Sequence, residues 1–175
     1  MYPKMLVTRI ELGRFTPENG EVIATDPCYQ PDQSYNHAIR VKEGEYIAHA
    51  CYGEVPYGWG VRVSELTINH ESTPKKKATT YLGWCAVDSG QCGFFDAHDY
   101  RNTHPAGPET KEAEAWYKKA CKITCNARRH CCGMMTSAKR IVGALSESGI
   151  GDGCYDLYAG YNSKGEITAL RLRFL

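Results

Sequence analysis

The sequence lacks any marked excess of one charge. Its 21 basic and 20 acidic side chains leave a formal net charge of +1. A general nucleic-acid binder, or a protein held on anionic membranes, usually carries a basic surplus, so neither class is expected. Long hydrophobic runs are missing too. Residues 1–9 hold no apolar stretch of signal-peptide length, and no segment has the roughly 20 apolar residues that cross a bilayer as a helix. These absences point to a cytoplasmic protein with no membrane association. No CxxC pair occurs, which removes the usual zinc knuckle. Ser89 is not framed as Gly-x-Ser-x-Gly, so the hydrolase nucleophile elbow is absent. Internal repeats and a linker that would divide the chain are lacking as well.

What is present is a chain of 175 residues, 42% of them apolar. That is enough for one domain over 1–175 with a real core. It carries nine cysteines. In a reducing cytosol these are thiols, and an odd number forbids complete internal pairing.

Alternating residues mark strands at 5–12, 21–25, 45–52, 59–68, 81–96 (a hairpin), 140–145, 154–161 and 166–175. Tyr46, Ala48, Ala50 and Tyr52 fall on one face, and Trp59, Val61 and Val63 on one face of the returning strand. Leu170, Leu172 and Phe174 oppose Arg171 and Arg173. Residues 30–38, with His37, read as a loop. Residues 126–138 read as irregular, broken by Gly133.

A single helix is expected near 109–125, opened by Pro108. Its apolar positions Ala113, Trp116, Tyr117, Ala120, Cys121 and Thr124 recur at a period of 3.6. Glu109, Glu112 and Glu114 stand at its start, and Lys118, Lys119 and Lys122 near its end, as the helix dipole favours. The fold class is α+β and β-dominated: an antiparallel sandwich or partly closed barrel with one packed helix.

Chemistry concentrates in residues 84–96, where a Gly-rich turn joins two strands. Asp88 and Ser89 sit in the turn and Asp96 ends the second strand. Asp26-Pro27-Cys28-Tyr29 and Gly151-Asp152-Gly153-Cys154-Tyr155 repeat the theme of an aspartate where strand meets turn. Such carboxylates gather hard cations, Mg²⁺ or Ca²⁺, with Asp88 and Asp152 the candidate ligands. They also supply an acid and a base where burial separates their pKa values. The plainer reading is that each aspartate hydrogen-bonds its own turn.

Cys121, Cys125, His130, Cys131 and Cys132 are thiolate and imidazole donors for a less favoured zinc site. Cys121, on the apolar helix face, fits an ordinary core thiol equally well. Ser89 or Cys92 with His49, His70, His98 or His104 would make a nucleophile and base only if folded into contact. His98, Asp99 and His104 fit a polar loop as well as a metal cluster. Lys75-Lys76-Lys77 reads as a solvated loop tip, since no Gly-rich turn accompanies it. Lys122, Arg128, Arg129, Lys139 and Arg140 read as ordinary surface.

Residues 87–91 with Phe94-Phe95-Asp96, and residues 148–155 followed by Leu157-Tyr158 and Gly165-Glu166, resemble the bacterial domain-of-unknown-function family 4241. Asp26-Pro27-Cys28-Tyr29 and Arg62-Val63 are similar to it too, and the likeness runs from about Val22 to Phe174. Cys154 stands where the family usually has Ser. The resemblance implies one compact domain with shared Asp turns and brings no activity with it.

Three functions remain open. One is a binding module with an Asp-turn cleft for a small polar ligand or divalent cation, lined by Asp26, Tyr29, Trp59, Arg62, Asp88, Ser89, Asp96, Asp152 and Tyr155. The others are a metal-assisted hydrolase on the same carboxylates, and a module for a protein partner that docks on 126–140. Thiol titration of protein unfolded without reductant is expected to match a fully reduced control. A shortfall of several thiols, or zinc bound in stoichiometric amount, would refute the reading of free cysteines.

Overall fold

The computed structural model describes residues 8–30, 37–55, 58–103, 110–138 and 140–175. The expected strand start at 5–7, the loop at 31–36, Pro56, His104, Pro108, Glu109 and Lys139 lie outside the described residues.

Among the described residues, eleven strands and two α-helices follow in chain order: β1 Thr8–Phe15, β2 Glu21–Thr25, β3 His37–Arg40, β4 Tyr46–Val55, β5 Gly60–His70, β6 Thr80–Val87, β7 Gln91–Asp96, α1 Ala97–Thr103, α2 Lys111–Thr124, β8 Cys132–Ser137, β9 Arg140–Glu147, β10 Gly153–Tyr161 and β11 Ile167–Arg173. They form two antiparallel sheets. One has six strands in the order β1-β4-β5-β11-β10-β6; the other has five, β3-β2-β7-β9-β8. The sheets stack without closing into a barrel, so the sandwich form of the β-dominated α+β expectation is the one realised. None of the described helices is long and apolar enough to cross a membrane.

Alternation explains the main core. Tyr46, Ala48 and Ala50 of β4, Leu66 and Ile68 of β5, and Leu170 and Leu172 of β11 point between the sheets and are fully buried. β7 is buried along its whole length. Its Cys92 and Phe94 enter the inter-sheet core, while Phe95 turns to the opposite face. There Phe95 meets Ile23, Tyr100 of α1 and Trp116, Ala120 and Ile123 of α2, a second core beneath the helices. The rings of Phe95, Tyr100 and Trp116 stand 5.4 Å apart pairwise, tilted or edge to face, an arrangement that aromatic quadrupoles favour.

The long helix is capped by Thr110. Ala113 N donates to Thr110 Oγ1 at 3.1 Å, and Glu114 pairs with Lys118 at 2.6 Å. Its buried face is Ala113, Trp116, Ala120, Ile123 and Thr124, with Tyr117 and Cys121 at the rim.

Four expectations need correction. α1 is a second helix, too short for its periodicity to stand out. β3 occupies part of the expected loop at 30–38. Residues 132–137 form β8, and Gly133 does not break it. A Cβ there would sit 2.9 Å from Ile123 Cγ2, so the glycine admits the helix onto the sheet. Finally, Trp59 and Val61 are 57% and 65% exposed; Val63 alone of that predicted face is buried, and the register with β4 slips between Cys51 and Tyr52.

Two glycines set the spacing of β7 and β9. A Cβ on Gly143 would lie 2.3 Å from the Phe94 carbonyl oxygen, and one on Gly93 2.6 Å from that of Ala144. Neither backbone has room to move. Gly143→Ala is expected to lower unfolding stability by about 2–3 kcal/mol through overpacking. Urea denaturation checks this, and a change below about 0.5 kcal/mol, the range of an ordinary surface substitution, would contradict it.

Candidate functional site

Asp26 follows the last residue of β2 and is fully buried. Pro27 turns the chain after it, and Tyr29 N donates to the Asp26 carbonyl at 3.1 Å. The carboxylate serves two segments. Its Oδ1 accepts from Cys28 N at 2.8 Å and from Ser89 Oγ at 2.6 Å. Its Oδ2 accepts from Asp88 N at 2.9 Å and Ser89 N at 2.7 Å. A buried carboxylate needs such donors in place of water. The turn between β6 and β7 is thereby bolted to the end of β2.

Further groups close around this tie. The Tyr29 hydroxyl bonds to the Asp88 carboxylate; burial, then that carboxylate, raises its pKa. Tyr100 donates its hydroxyl to the carbonyls of Tyr29 and Asp26. Tyr117 of α2 reaches Ser89 and Cys121, and burial raises its pKa. Gln91 donates to Cys121 Sγ at 3.4 Å and accepts from Thr124 Oγ1 at 2.9 Å. Cys28 is exposed; partial desolvation of its thiol, then the Asp26 charge, raise its pKa, so it is weakly nucleophilic at neutral pH.

The third Asp turn meets the second. Ser148 N donates to the Gly90 carbonyl at 3.0 Å, and a Cβ on Gly90 would touch Gly151 Cα at 3.9 Å. Ser148 Oγ and the Tyr155 hydroxyl both donate to the Gly151 carbonyl, at 2.6 and 2.7 Å. Gly153 pairs with Val87 across β10 and β6. Residues 152 and 88 therefore follow one another on adjacent strand ends, and both aspartates are exposed. Arg62 stands at the same end, 3.9 Å from Glu147, which also accepts from Val63 N at 3.3 Å. Trp59 lies farther out, at the tip of the β4–β5 hairpin.

Asp96 is the exception. It ends β7 at the side away from the Asp88 turn and has its own buried network. It accepts from Glu18 N at 2.7 Å and His98 N at 2.9 Å, and it binds the Arg140 guanidinium. Arg140 also reaches Asp99 at 3.0 Å and Glu18 at 3.5 Å. The expectation that Arg140 is ordinary surface is corrected: it neutralises a buried carboxylate. The structure thus brings Asp26, Tyr29, Arg62, Asp88, Ser89, Asp152 and Tyr155 to one end of the sandwich and puts Asp96 elsewhere.

Among the described residues, no three His, Cys, Asp or Glu side chains are gathered so as to hold a metal ion. None of the nine cysteines forms a disulfide. Cys121 is engaged by Gln91, and Cys132 lies 3.0 Å from the Tyr52 hydroxyl, while Cys125 is exposed. The Ser89 hydroxyl donates a hydrogen bond to Asp26. His49 contacts Arg9, and His70 contacts Ser72 and the Glu43 carbonyl. Tyr117, Gln91, Thr124 and Tyr100 were not foreseen here. The helical spacing that put Tyr117 beside Cys121 was the available signal.

Fold and site define a β-dominated α+β sandwich whose polar turns are gathered at one end by a buried aspartate. The sequence matches the family described as protein of unknown function (DUF4241) over residues 61–172. The chain belongs to that family. The matched span holds Arg62, Asp88, Ser89, Asp152 and Tyr155, and leaves Asp26 and Tyr29 outside it. No curated protein and no solved structure matches the chain.

Asp26→Asn keeps the shape but removes the charge that draws four donors together. Loss of charge-assisted hydrogen bonds is expected to cost about 3 kcal/mol. Chemical denaturation measures it; an unchanged midpoint would show that the turns hold without this tie.

Proposed function

We propose that this protein is a binding module whose recognition surface is the sandwich end gathered by Asp26. Asp88 and Asp152 supply exposed carboxylates, with Tyr29, Ser89, Tyr155 and Arg62 around them. The ligand is a small polar molecule or a divalent cation. The observation that carries this reading is the saturation of Asp26. With four donors already bound, it is a fixed strut that preorganises the Asp88 turn, and preorganisation cuts the ordering cost of binding.

Two carboxylates brought near each other repel, and a cation or donor-rich ligand relieves the repulsion. Mg²⁺ is commonly held by one or two carboxylates with several waters retained, which suits a two-aspartate surface better than a fully protein-built cage. A metal-assisted hydrolase on the same carboxylates is the alternative, separated by turnover of a phosphodiester panel that requires the metal.

Asp88→Asn is expected to leave stability within about 0.5 kcal/mol, as for an exposed site. Mg²⁺ or Ca²⁺ should raise the melting temperature of the unsubstituted protein more than that of Asp88→Asn combined with Asp152→Asn. Equal shifts in both proteins would overturn the cation reading. A polyol and amine panel, tested the same way by calorimetry, addresses the uncharged and cationic organic ligands.

A further inference from the structure

We propose that the outer face of the six-stranded sheet carries a second binding site, for a small soluble phosphomonoester, beneath the loop at residues 71–79. It does not depend on the Asp-turn surface, which lies at the opposite end of β5.

Strand register builds the floor. Arg9, Cys51, Glu65 and Arg173 are successive cross-strand neighbours on β1, β4, β5 and β11. The next row is His49, Thr67, Arg171 and Tyr158, on β4, β5, β11 and β10. The loop makes the wall. After β5 the chain passes β11 and β10 before it joins the sheet again as β6. It is pinned on the way: Asn69 Nδ2 donates to the Lys76 carbonyl at 2.7 Å, and Thr79 N to the Ala159 carbonyl at 3.0 Å. A Cβ on Gly160 would lie 2.5 Å from the Lys77 carbonyl oxygen, so only glycine lets the loop sit this close. Between floor and loop is a groove of about 350 Å³, the size of a small-ligand site.

Its charge is concentrated. Arg9, Lys75, Lys76, Lys77 and Arg171 line it against the single carboxylate of Glu65. Five cations less one anion give +4, in a chain whose net charge is +1. The two guanidiniums are already oriented. Arg171 Nη1 pairs with Glu65 at 2.9 Å, and its guanidinium lies 4.5 Å from the Tyr158 ring centre. Arg9 Nη2 contacts His49 Nδ1 at 3.0 Å and Asn69 Oδ1 at 3.4 Å.

A second observation points the same way. Thr67 Oγ1 and Arg171 Nε, on directly paired residues of the floor, are buried and have no hydrogen-bond partner among the described residues. Buried polar groups almost always find partners. Arg171 Nε can only donate, and the Thr67 hydroxyl can donate as well as accept, so acceptor oxygens would satisfy both. A phosphomonoester brings three such oxygens and a charge of about −1.5 to −2 at neutral pH, where a simple carboxylate brings one charge. The missing Gly-rich turn is no obstacle, because side-chain cations replace the backbone cradle here.

The test is calorimetry with ribose 5-phosphate, inorganic phosphate, succinate and ribose, together with amide chemical-shift mapping. Both phosphates should bind with salt-dependent affinity and shift the amides of residues 67, 75–77 and 171, while ribose should not bind. Lys75→Gln with Lys77→Gln, two exposed loop positions, should weaken ribose 5-phosphate by about tenfold, the worth of one charge-assisted contact. Arg9→Gln should do the same from the other side of the groove. Asp88→Asn with Asp152→Asn should leave it unchanged, which separates this site from the Asp-turn surface. The proposal is overturned by no phosphate binding, by succinate or ribose binding as tightly, by shifts confined elsewhere, or by full affinity in both groove variants.

Discussion

A buried carboxylate without water must be surrounded by donors, and Asp26 meets that demand with groups from two distant segments. Its partners Cys28 N, Ser89 N, Asp88 N and Ser89 Oγ lie on the turn after β2 and the turn between β6 and β7. β2 and β7 belong to the five-stranded sheet and β6 to the six-stranded one. The same four bonds thus clamp the two layers at one end, next to the inter-sheet core. Asp96 and Arg140 perform a related service at the other end of β7. There, removing Arg140 would leave the buried Asp96 carboxylate without its counter-charge.

The arrangement gives the sandwich two chemically unlike regions. Around the Asp26 clamp, exposed oxygen atoms of Asp88 and Asp152 dominate. In the groove under the 71–79 loop, nitrogen cations dominate. A near-zero net charge conceals this, because it sums over the surface where recognition depends on local fields.

Much of the fold was readable from residue order because alternation survives wherever one strand face is wet. β4 and β11 show this, with Tyr46, Ala48 and Ala50 inward and Arg171 and Arg173 outward. The signal failed where both faces are covered or an element is short. β8 lies under α2, so Met134 and Met135 do not alternate with polar residues, and Gly133 mimics a breaker. α1 spans 7 residues, too few for a helical period to declare itself. The gathering of Asp turns was foreseeable in kind, since turns collect at strand ends. Its centre was not: nothing local distinguishes Asp26, which is saturated by residues 62 and 63 positions away, from Asp88, which faces solvent.

The order β1-β4-β5-β11-β10-β6 has a consequence for how the chain is made. The last two strands fill the middle of their sheet and join β5 to β6. While a ribosome is still synthesising residues 88–150, β5 and β6 each expose an unpaired edge. The hairpin of β10 and β11 then enters between them as a keystone. Such late, long-range pairing is slow and leaves sticky edges open meanwhile. Until that hairpin has emerged, those edges stay open to unwanted pairing.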